Sequence, residues 1–375
     1  MGSGAFYASL QGGHWMAGCG PLFDALAAVE HEASTRNTIF TEFLWWPGLK
    51  MAGLPKLPHA PIVSSLHSDQ HDSIFFSLRQ TDQAWVTHGT YPIAKIKIEN
   101  FGARLVELDT RLWEECLDLC RNGHVDGINI SPMKHSHVSD LHFLLGLKSL
   151  KALRFVGAHE CDFAAVHGMH QLEYLWWAPE SKQTIDLRGF HSLKVAGIAW
   201  HPKIYLPNDV ASLERLWIRS YRPRSKDLSE FPDMPRLHTL KLSLGGFRSI
   251  LGINHMPSLQ VLKLVRVRGI NDIMPLTRSQ VRDFTLDSAP QVRDLSILAL
   301  CPSLTYVNIA SAAPIPTLHF LSKSASIRTF RFFRTKVIDG DMSPLFRLDN
   351  AAFYPDCRHY SHTNEEVQHA LGITI

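Results

Sequence analysis

Histidine and cysteine side chains form three groups along the sequence, and these residue types bind zinc in proteins. None of the groups has the tight paired spacing of a structural zinc site. The chain contains 21 histidines in 375 residues, so several such groups are expected by chance. We therefore predict no metal site and no cofactor. The three groups are His135, His137 and His142; His159, Cys161, His167 and His170; and Cys357, His359 and His362.

Common catalytic motifs are the next candidates for chemistry. The sequence contains no GxSxG, HExxH, GxxxxGK[ST] or GxGxxG pattern. Asp283 and Asp287 form a carboxylate pair that could act in acid–base catalysis. They lie on a predicted open strand, where solvation or pairing with Lys263 or Arg331 is the simpler role. We predict that the chain is not an enzyme.

A repeated register of apolar residues must position all these side chains. The pattern apolar-x-x-apolar-x-apolar occurs eleven times, for example as Leu237-Arg-His-Thr-Leu240-Lys-Leu242. A period near 22 residues that recurs this often predicts a solenoid, in which stacked units share one core. The first apolar positions are Val125, Leu150, Leu172, Leu193, Leu213, Leu237, Leu259, Val281, Leu304, Ile327 and Leu348.

Each register ends in an apolar-polar-apolar triplet, which is typical of a short strand with alternate side chains pointing inward. One coil per repeat makes successive strands parallel neighbours. Strands lie roughly 4.8 Å apart, so eleven span on the order of 50 Å. A second apolar set, as in Ile270-Asn-Asp-Ile273, predicts 3₁₀ or single-turn helices on the outer side.

This register resembles that of the leucine-rich repeat family, in the short 22-residue form of internalin-like bacterial proteins, over roughly residues 91 to 356. The resemblance implies an α/β leucine-rich repeat solenoid: a curved parallel sheet of about eleven strands with short helices outside. The family usually has Asn eight residues after the first Leu, where it binds backbone groups of the turn. The corresponding residues are Met133, Ala158, Glu180, His201, Tyr221, Gly245, Val267, Ala289, Ala312, Thr335 and Asp356. None is Asn, so another device must satisfy the turn.

A solenoid needs a cap at each end. We predict an irregular, β-rich amino-terminal cap over residues 1–90, the solenoid over 91–356, and a carboxyl-terminal cap over 357–375. Residues 1–60 are predicted to form an irregular wrap. Thr363 and Glu366 form a capping box for a last helix that ends near Leu371. The other predicted elements are strands at Ser73 to Leu78, Ala84 to His88 and Ile93 to Glu99, and a helix at Thr110 to Arg121 with Asp109 or Thr110 as N-cap.

Cysteine usage and the amino-terminal sequence favour a cytoplasmic protein. The six cysteines form no CxxC pair, which is typical of free thiols in a reducing compartment, and Cys116 with Cys120 shares one helix face. The first 35 residues contain no Lys or Arg, so a secretory signal is not expected, and no apolar stretch is long enough to span a membrane. A net charge of +3 is too small to indicate nucleic acid by itself.

The third, fifth and seventh positions of each register are predicted to face the concave side of the sheet. They are rich in aromatic and basic residues, which dominate protein–protein interfaces. A register error of one residue would instead place some rings in the core, as Trp177 and Trp200 illustrate. The predicted protein-binding residues are Arg154, Tyr174, Trp176, Arg215, Trp217, Arg219, Lys241, Lys263, Asp283, Asp287, Tyr306, Arg331, Phe333 and Tyr354.

These observations favour a non-enzymatic protein-binding solenoid with one protein partner, and with neither nucleic acid nor membrane as ligand. The resemblance and the expected compartment suggest an immunity protein that covers a toxin with an acidic surface. The alternative is an exported internalin-like protein or effector that binds a host receptor. A third class is an enzyme with chemistry in residues 1–90, where His59, His67, His71 and Asp72 show no catalytic spacing.

Overall fold

The computed structural model describes residues 75–77, 94–98, 102–131, 138–157, 161–179, 185–202, 204, 206 and 212–373. Nearly all of them belong to one compact unit, Phe76–Lys97 with Ala103–Ile375, whereas a second unit spans Met1–Phe75 and Ile98–Gly102. The wrap predicted over residues 1–60, the strand predicted at 84–88 and the candidate catalytic histidines of the first 90 residues lie outside the described residues.

Fourteen strands of the described residues form one sheet, in the order in which they occur along the chain. Pairing from the third strand to the last is parallel and in continuous register. The strands are β1 (Phe75–Ser77), β2 (Lys95–Ile98), β3 (Arg104–Glu107), β4 (Gly127–Ile130), β5 (Ala152–Gly157), β6 (Tyr174–Pro179), β7 (Val195–Ala199), β8 (Arg215–Arg219), β9 (Thr239–Ser243), β10 (Val261–Val265), β11 (Asp283–Asp287), β12 (Tyr306–Ala310), β13 (Thr329–Phe333) and β14 (Asn350–Tyr354).

The eleven strands predicted from the repeat are confirmed as β4 to β14, each of which begins two residues after its first apolar position. Strand β3 belongs to a twelfth register, Ala103-Arg-Leu-Val106-Glu-Leu108, which lies 22 residues before Val125. We missed it because its first position is Ala, which carries little apolar signal. Register pairing of Val106 with Ile128 places it in line with the other coils.

Short helices follow most of the strands, as predicted, although the segment between β8 and β9 forms only turns and bends. They are 3₁₀ turns at Thr110–Leu112, His142–Gly146, Ala164–Gly168, Leu187–Gly189, Ile253–His255, Met274–Arg278, Ser296–Leu300 and Ser343–Arg347, and the α-helices α1 (Trp113–Arg121), α2 (Phe320–Lys323) and α3 (Asn364–Ala370). The parallel sheet, the 22-residue coil and these outer turns together make the fold a leucine-rich repeat solenoid.

The first, fourth and sixth positions of each register form the core. In one representative coil Leu237, Leu240 and Leu242 are all fully buried, whereas the polar side chains between them are partly exposed. Burial of one such side chain stabilises the fold by roughly 1.5–3 kcal/mol. Trp177 is 1% exposed and stacks on Phe155 with ring centroids 4.9 Å apart. Trp177 therefore lies in the core, as its sixth position requires.

A residue with left-handed backbone conformation follows each strand from β8 to β13. Its φ lies between 48° and 63° in these six coils, and its N–H donates to the carbonyl at the end of the next strand, as from Ser311 to Phe333 at 2.8 Å. The position where the family usually has Asn is instead buried in the core, by Tyr221, Val267 and Ala289 for example. The ladder of backbone hydrogen bonds thus recurs in these six coils without Asn. At Thr335 a side chain also contributes, because its hydroxyl accepts from the Ala312 N–H at 3.1 Å and donates to the Phe333 carbonyl at 3.0 Å.

Side-chain oxygens begin the outer turns in a pattern that we did not predict. Asp162 Oδ1 accepts a hydrogen bond from the Ala164 N–H at 2.9 Å, and Asp294 Oδ1 accepts one from Ser296 at 2.8 Å. Such contacts satisfy N–H groups that a helical turn leaves without a backbone partner. The same contact recurs at Asp140, Asp186, Asp227, Ser249, Asp272, Thr317 and Asp341.

Both predicted terminal helices are confirmed. Asp109 accepts a hydrogen bond from the Arg111 N–H at 3.0 Å and begins the turn that leads into α1. In α3 the Thr363 hydroxyl accepts from the Glu366 N–H at 3.2 Å, and the Glu366 carboxylate accepts from the Thr363 N–H at 2.7 Å. Cys120 of α1 is a buried free thiol, and burial raises its pKa to about 12.

Candidate functional site on the open face of the sheet

The open face is the side of the sheet formed by the third, fifth and seventh positions of each register. Its central row, the fifth positions, is continuous because the strands pair in register, so neighbours in the row are roughly 4.8 Å apart. From β3 to β14 the row is Glu107, Asn129, Arg154, Trp176, Gly197, Trp217, Lys241, Lys263, Thr285, Asn308, Arg331 and Ala352.

Two tryptophans of the central row contact each other across an intervening strand. Trp176 on β6 and Trp217 on β8 are both register partners of Gly197 on β7. The indole of Trp176 lies over this glycine, because a Cβ at Gly197 would come within 2.2 Å of the Trp176 ring. The ring centroids of the two tryptophans are consequently only 5.5 Å apart. The glycine therefore makes room for a large aromatic surface on the open face.

Basic side chains surround Trp217 on three adjacent strands. Arg215 and Arg219 precede and follow it on β8, on the same face of the strand. Lys241 on β9 is its register partner, and Lys263 on β10 is the partner of Lys241. We call these five residues the basic patch. Four cationic side chains and one indole thus share the open face of three adjacent strands.

The sign of the charge reverses on the next strand. Asp283 and Asp287 on β11 are the register partners of Val261 and Val265 on β10, and both carboxylates are half-buried. Thr285 separates them on the same face of the strand. The open face therefore presents an acidic strip beside the basic patch.

Aromatic residues return at the carboxyl-terminal end of the open face. Tyr306 on β12 and Phe333 on β13 are half-buried, and Tyr354 on β14, the register partner of Phe333, is 45% exposed. Arg331 donates a hydrogen bond through Nη2 to Asn350 Oδ1 at 3.2 Å. This end combines apolar rings with the Arg331 guanidinium, which bonds to an amide oxygen.

One predicted binding residue is placed differently from our expectation. Tyr174 is only 4% exposed, and the other third positions from β4 to β7, Gly127, Ala152 and Val195, are also buried. Its ring therefore offers little surface to a partner. The predicted binding role of the remaining thirteen residues stays a prediction, and the structure brings most of them together on β8 to β14.

A polar network at the amino-terminal end of the open face was missed in the sequence. The Glu107 carboxylate accepts hydrogen bonds from Asn129 Nδ2 and Ser131 Oγ, and Arg154 donates to Asn129 Oδ1 at 2.8 Å. Asn129 is 2% exposed, so these bonds satisfy an otherwise costly buried amide. The twelfth register, with Glu107 at its fifth position, was the signal that could have revealed the network.

The histidine groups have structural contacts where the structure describes them. His170 bonds through Nδ1 to the Gly189 carbonyl at 2.8 Å, and His359 bonds through Nε2 to the Val337 carbonyl at 2.8 Å. His362 contacts Ser361 and the ring of Phe346. Within the described ranges no three His, Cys, Asp or Glu side chains are arranged to hold a metal ion. His135, His137 and His159 lie outside those ranges.

Comparison with known proteins finds similarity only among solved structures. No family model matches the chain, and no curated protein matches it. An internalin of Listeria monocytogenes is similar with 13% identity and a TM-score of 0.43, over 69% of this chain and 84% of that one. Internalin C2 of the same organism is similar with 21% identity and a TM-score of 0.31, over 44% of this chain and 62% of that one.

The search for membrane-spanning helices gives a negative result for the part of the chain that the structure describes. None of its helices is both long enough and apolar enough to cross a bilayer.

Proposed function

We propose that the chain is a non-enzymatic protein-binding solenoid whose open face from β8 to β14 binds one partner with an acidic surface. The observation that carries this proposal is the basic patch. It places Trp217 between Arg215 and Arg219, with Lys241 and Lys263 on the next two strands. Arg and Trp are the residues most enriched at the energetic centres of protein interfaces.

The rigidity of the scaffold supports tight binding. The side chains of the patch are carried by strands in a continuous parallel sheet, so the backbone has little freedom to lose when a partner binds. The acidic strip at Asp283 and Asp287 disfavours a uniform polyanion such as nucleic acid, because its phosphates would meet like charge there. A protein surface can match both signs.

The more specific role that we propose is that of an immunity protein which covers a toxin domain. Five free cysteines in the described residues, four of them buried, support a reducing compartment, where such proteins act. The second candidate is an exported internalin-like protein or effector that binds a host receptor. The resemblance of the 22-residue repeat to that of internalin-like proteins favours it. A toxin gene beside this one would favour the first candidate, and its absence the second.

Partner capture with purified variants tests the binding surface. Lysate proteins retained by the wild-type chain are identified, and the affinity of the retained partner is then measured for Trp217→Ala and Arg215→Glu. We expect each variant to weaken binding by about thirty-fold, the equivalent of about 2 kcal/mol. Arg282→Glu is the matched control, because this exposed arginine lies just before β11 and outside the open face.

The outcome decides between the open face and other surfaces. If Trp217→Ala and Arg215→Glu bind the partner as tightly as the wild-type chain, the assignment of the open face is wrong. If Arg282→Glu weakens binding as much as Arg215→Glu does, the effect reports net charge rather than this site.

A further inference from the structure

Asn308 occupies an unusual place on the open face. It is the central residue of β12 and lies in the central row, yet its side chain is only 9% exposed. Its Oδ1 atom is shielded from solvent and has no hydrogen-bond partner in the described part of the chain. A buried amide oxygen without a partner has lost its contacts with water and gained nothing in return.

The neighbouring residue in the row has the complementary deficit. Arg331 is the register partner of Asn308, and its Nε atom is likewise shielded and without a hydrogen-bond partner in the described residues. Its Nη2 atom is held by Asn350 Oδ1 at 3.2 Å, which fixes one side of the guanidinium. An acceptor, Asn308 Oδ1, and a donor, Arg331 Nε, thus belong to register partners on adjacent strands. Neither atom bonds to the other or to another group of the described residues.

We propose that Asn308 and Arg331 bind one amide group of the protein partner, and this proposal rests on the proposed function. The carbonyl oxygen of the amide accepts a hydrogen bond from Arg331 Nε–H, and its N–H donates to Asn308 Oδ1. A backbone peptide group and the carboxamide of an Asn or Gln side chain share this chemistry. The site therefore adds a neutral contact, two strands beyond the basic patch, to an interface otherwise based on charge.

Other small groups fit the pair less well. A carboxylate would satisfy Arg331 but would present only acceptor oxygens to Asn308 Oδ1, and it would lie one strand from Asp283 and Asp287. An ammonium group would satisfy Asn308 but repel the guanidinium. An amide is neutral and carries both a donor and an acceptor, which match the two unsatisfied atoms.

The surroundings suit a neutral hydrogen-bonding group. Tyr306 precedes Asn308 on the same face of β12, and Phe333 follows Arg331 on the same face of β13. Both rings are half-buried, and hydrogen bonds near apolar groups are stronger than in water. Because the two polar atoms are shielded in the free chain, binding requires neighbouring side chains to move.

A stability measurement gives the first test. Asn308→Leu keeps the number and branching of the side-chain heavy atoms but removes the polar atom that lacks a partner. We expect it to raise the melting midpoint of the free chain by about 2 °C, as the removal of an unsatisfied buried group should. Thr285→Val, one strand away in the same row and half-exposed, is the matched control and should shift the midpoint by less. A lower midpoint for Asn308→Leu would show that the amide is already satisfied and would overturn the proposal.

A binding measurement gives the second test, with random linear peptides displayed on phage as the probe. The full chain is used for selection, and enriched peptides are then measured against Asn308→Leu, Arg331→Lys and Thr285→Val. We expect at least one enriched peptide whose affinity falls about tenfold with each of the first two variants and not with the third. Methylation of single backbone nitrogens and replacement of Asn or Gln by Ala then distinguish the two sources of the amide.

The result also separates this proposal from the proposed function. Peptides that bind Asn308→Leu as well as the wild-type chain, or a selection that enriches no sequence, would overturn the amide site. If Arg215→Glu loses the lysate partner and Asn308→Leu retains it, the proposal for the basic patch is supported and only the proposal for the amide site is overturned.

Discussion

The amino-terminal coils from β3 to β7 and the carboxyl-terminal coils from β8 to β14 share one core but differ in where they carry charge. In the first group, charged residues alternate along the edge of the sheet where the strands begin. Arg104 pairs with Asp126 at 3.3 Å, and Glu173 pairs with Lys151 at 3.1 Å and with Lys194 at 2.7 Å. Register pairing makes these residues neighbours on successive coils, so we call them the edge ladder.

In the carboxyl-terminal coils more of the charged residues lie on the open face. The edge there is mixed, with Gln260 and Thr305 on either side of Arg282. The central row carries Lys241, Lys263 and Arg331. Buried apolar residues fill the fourth and sixth positions of the register in both halves. In the amino-terminal half the edge charges pair between neighbouring coils, and in the carboxyl-terminal half charged side chains lie on the face that we propose as the binding surface.

The largest expected effect concerns close packing in the amino-terminal half. A Cβ at Gly127 would lie 1.7 Å from the carbonyl oxygen of Ala152, which is backbone and cannot move aside. We expect Gly127→Ala to lower the free energy of unfolding by about 3 kcal/mol. Chemical denaturation measures it, with Gly146→Ala as control because nothing lies within 4 Å of that position. Equal stabilities for the two variants would contradict the register of β4 and β5.

A smaller effect concerns the outer turns of the carboxyl-terminal half. Asp294 caps its turn through the Ser296 N–H, so Asp294→Ala should lower the free energy of unfolding by about 1 kcal/mol. Asp349→Ala, an exposed carboxylate at the edge of β14, should change it much less. If the two variants are equally stable, the repeated caps do not stabilise the coils.

The edge ladder should make the free energy of unfolding depend on pH in the acidic range. Hydrogen bonds from Lys194 and Lys151 lower the pKa of Glu173, so its contribution is fully present above its ordinary value of 4.5. It is lost as the pH falls through the lowered pKa. Glu173→Gln should cost about 0.5 kcal/mol near pH 7 and nothing at a pH below the lowered pKa, because the pairs are partly exposed. Asp349→Asn is the control, and a loss of stability that persists in acid would exclude an ionic origin.

The smallest effect concerns the left-handed turns. Ser311 has a φ of 48°, a conformation that Asn adopts more readily than Ser. Ser311→Asn should therefore raise the free energy of unfolding by about 0.5 kcal/mol, whereas Thr305→Asn, which lies outside the turn, should not. Destabilisation by Ser311→Asn would argue against the backbone ladder that links this turn to Phe333.

Features of the fold that have a periodic sequence signal could be predicted from the sequence, and features without one could not. The alternation of Leu240, Lys241 and Leu242 has a strict period of two within a repeat near 22, so the strands and the orientation of Trp176 and Trp217 were predictable. The coil that begins at Ala103 was not, since alanine is only weakly apolar. Local hydrogen-bond signals were present as well, because each capping Asp, Ser or Thr directly precedes an apolar residue of the outer turn, but we did not include them in the repeat pattern.

Features that depend on neighbouring coils could not be predicted from one repeat at a time. The burial of Tyr174 and the missing partners of Asn308 and Arg331 depend on side chains that are about 20 residues away in sequence and one strand away in space. The left-handed turns likewise require the next coil, because their N–H groups donate to it. Register pairing had to be known before any of these features could be recognised.

The central claim is that the basic patch on the open face binds an acidic protein surface. The most direct measurement compares two charge-reversal pairs for affinity toward the partner that the wild-type chain captures. Lys241→Glu with Lys263→Glu changes the patch, and Arg282→Glu with Arg328→Glu makes the same change in net charge at exposed edge positions. We predict a loss of about a hundredfold for the first pair and less than about threefold for the second. Equal affinities for the two pairs would contradict the claim.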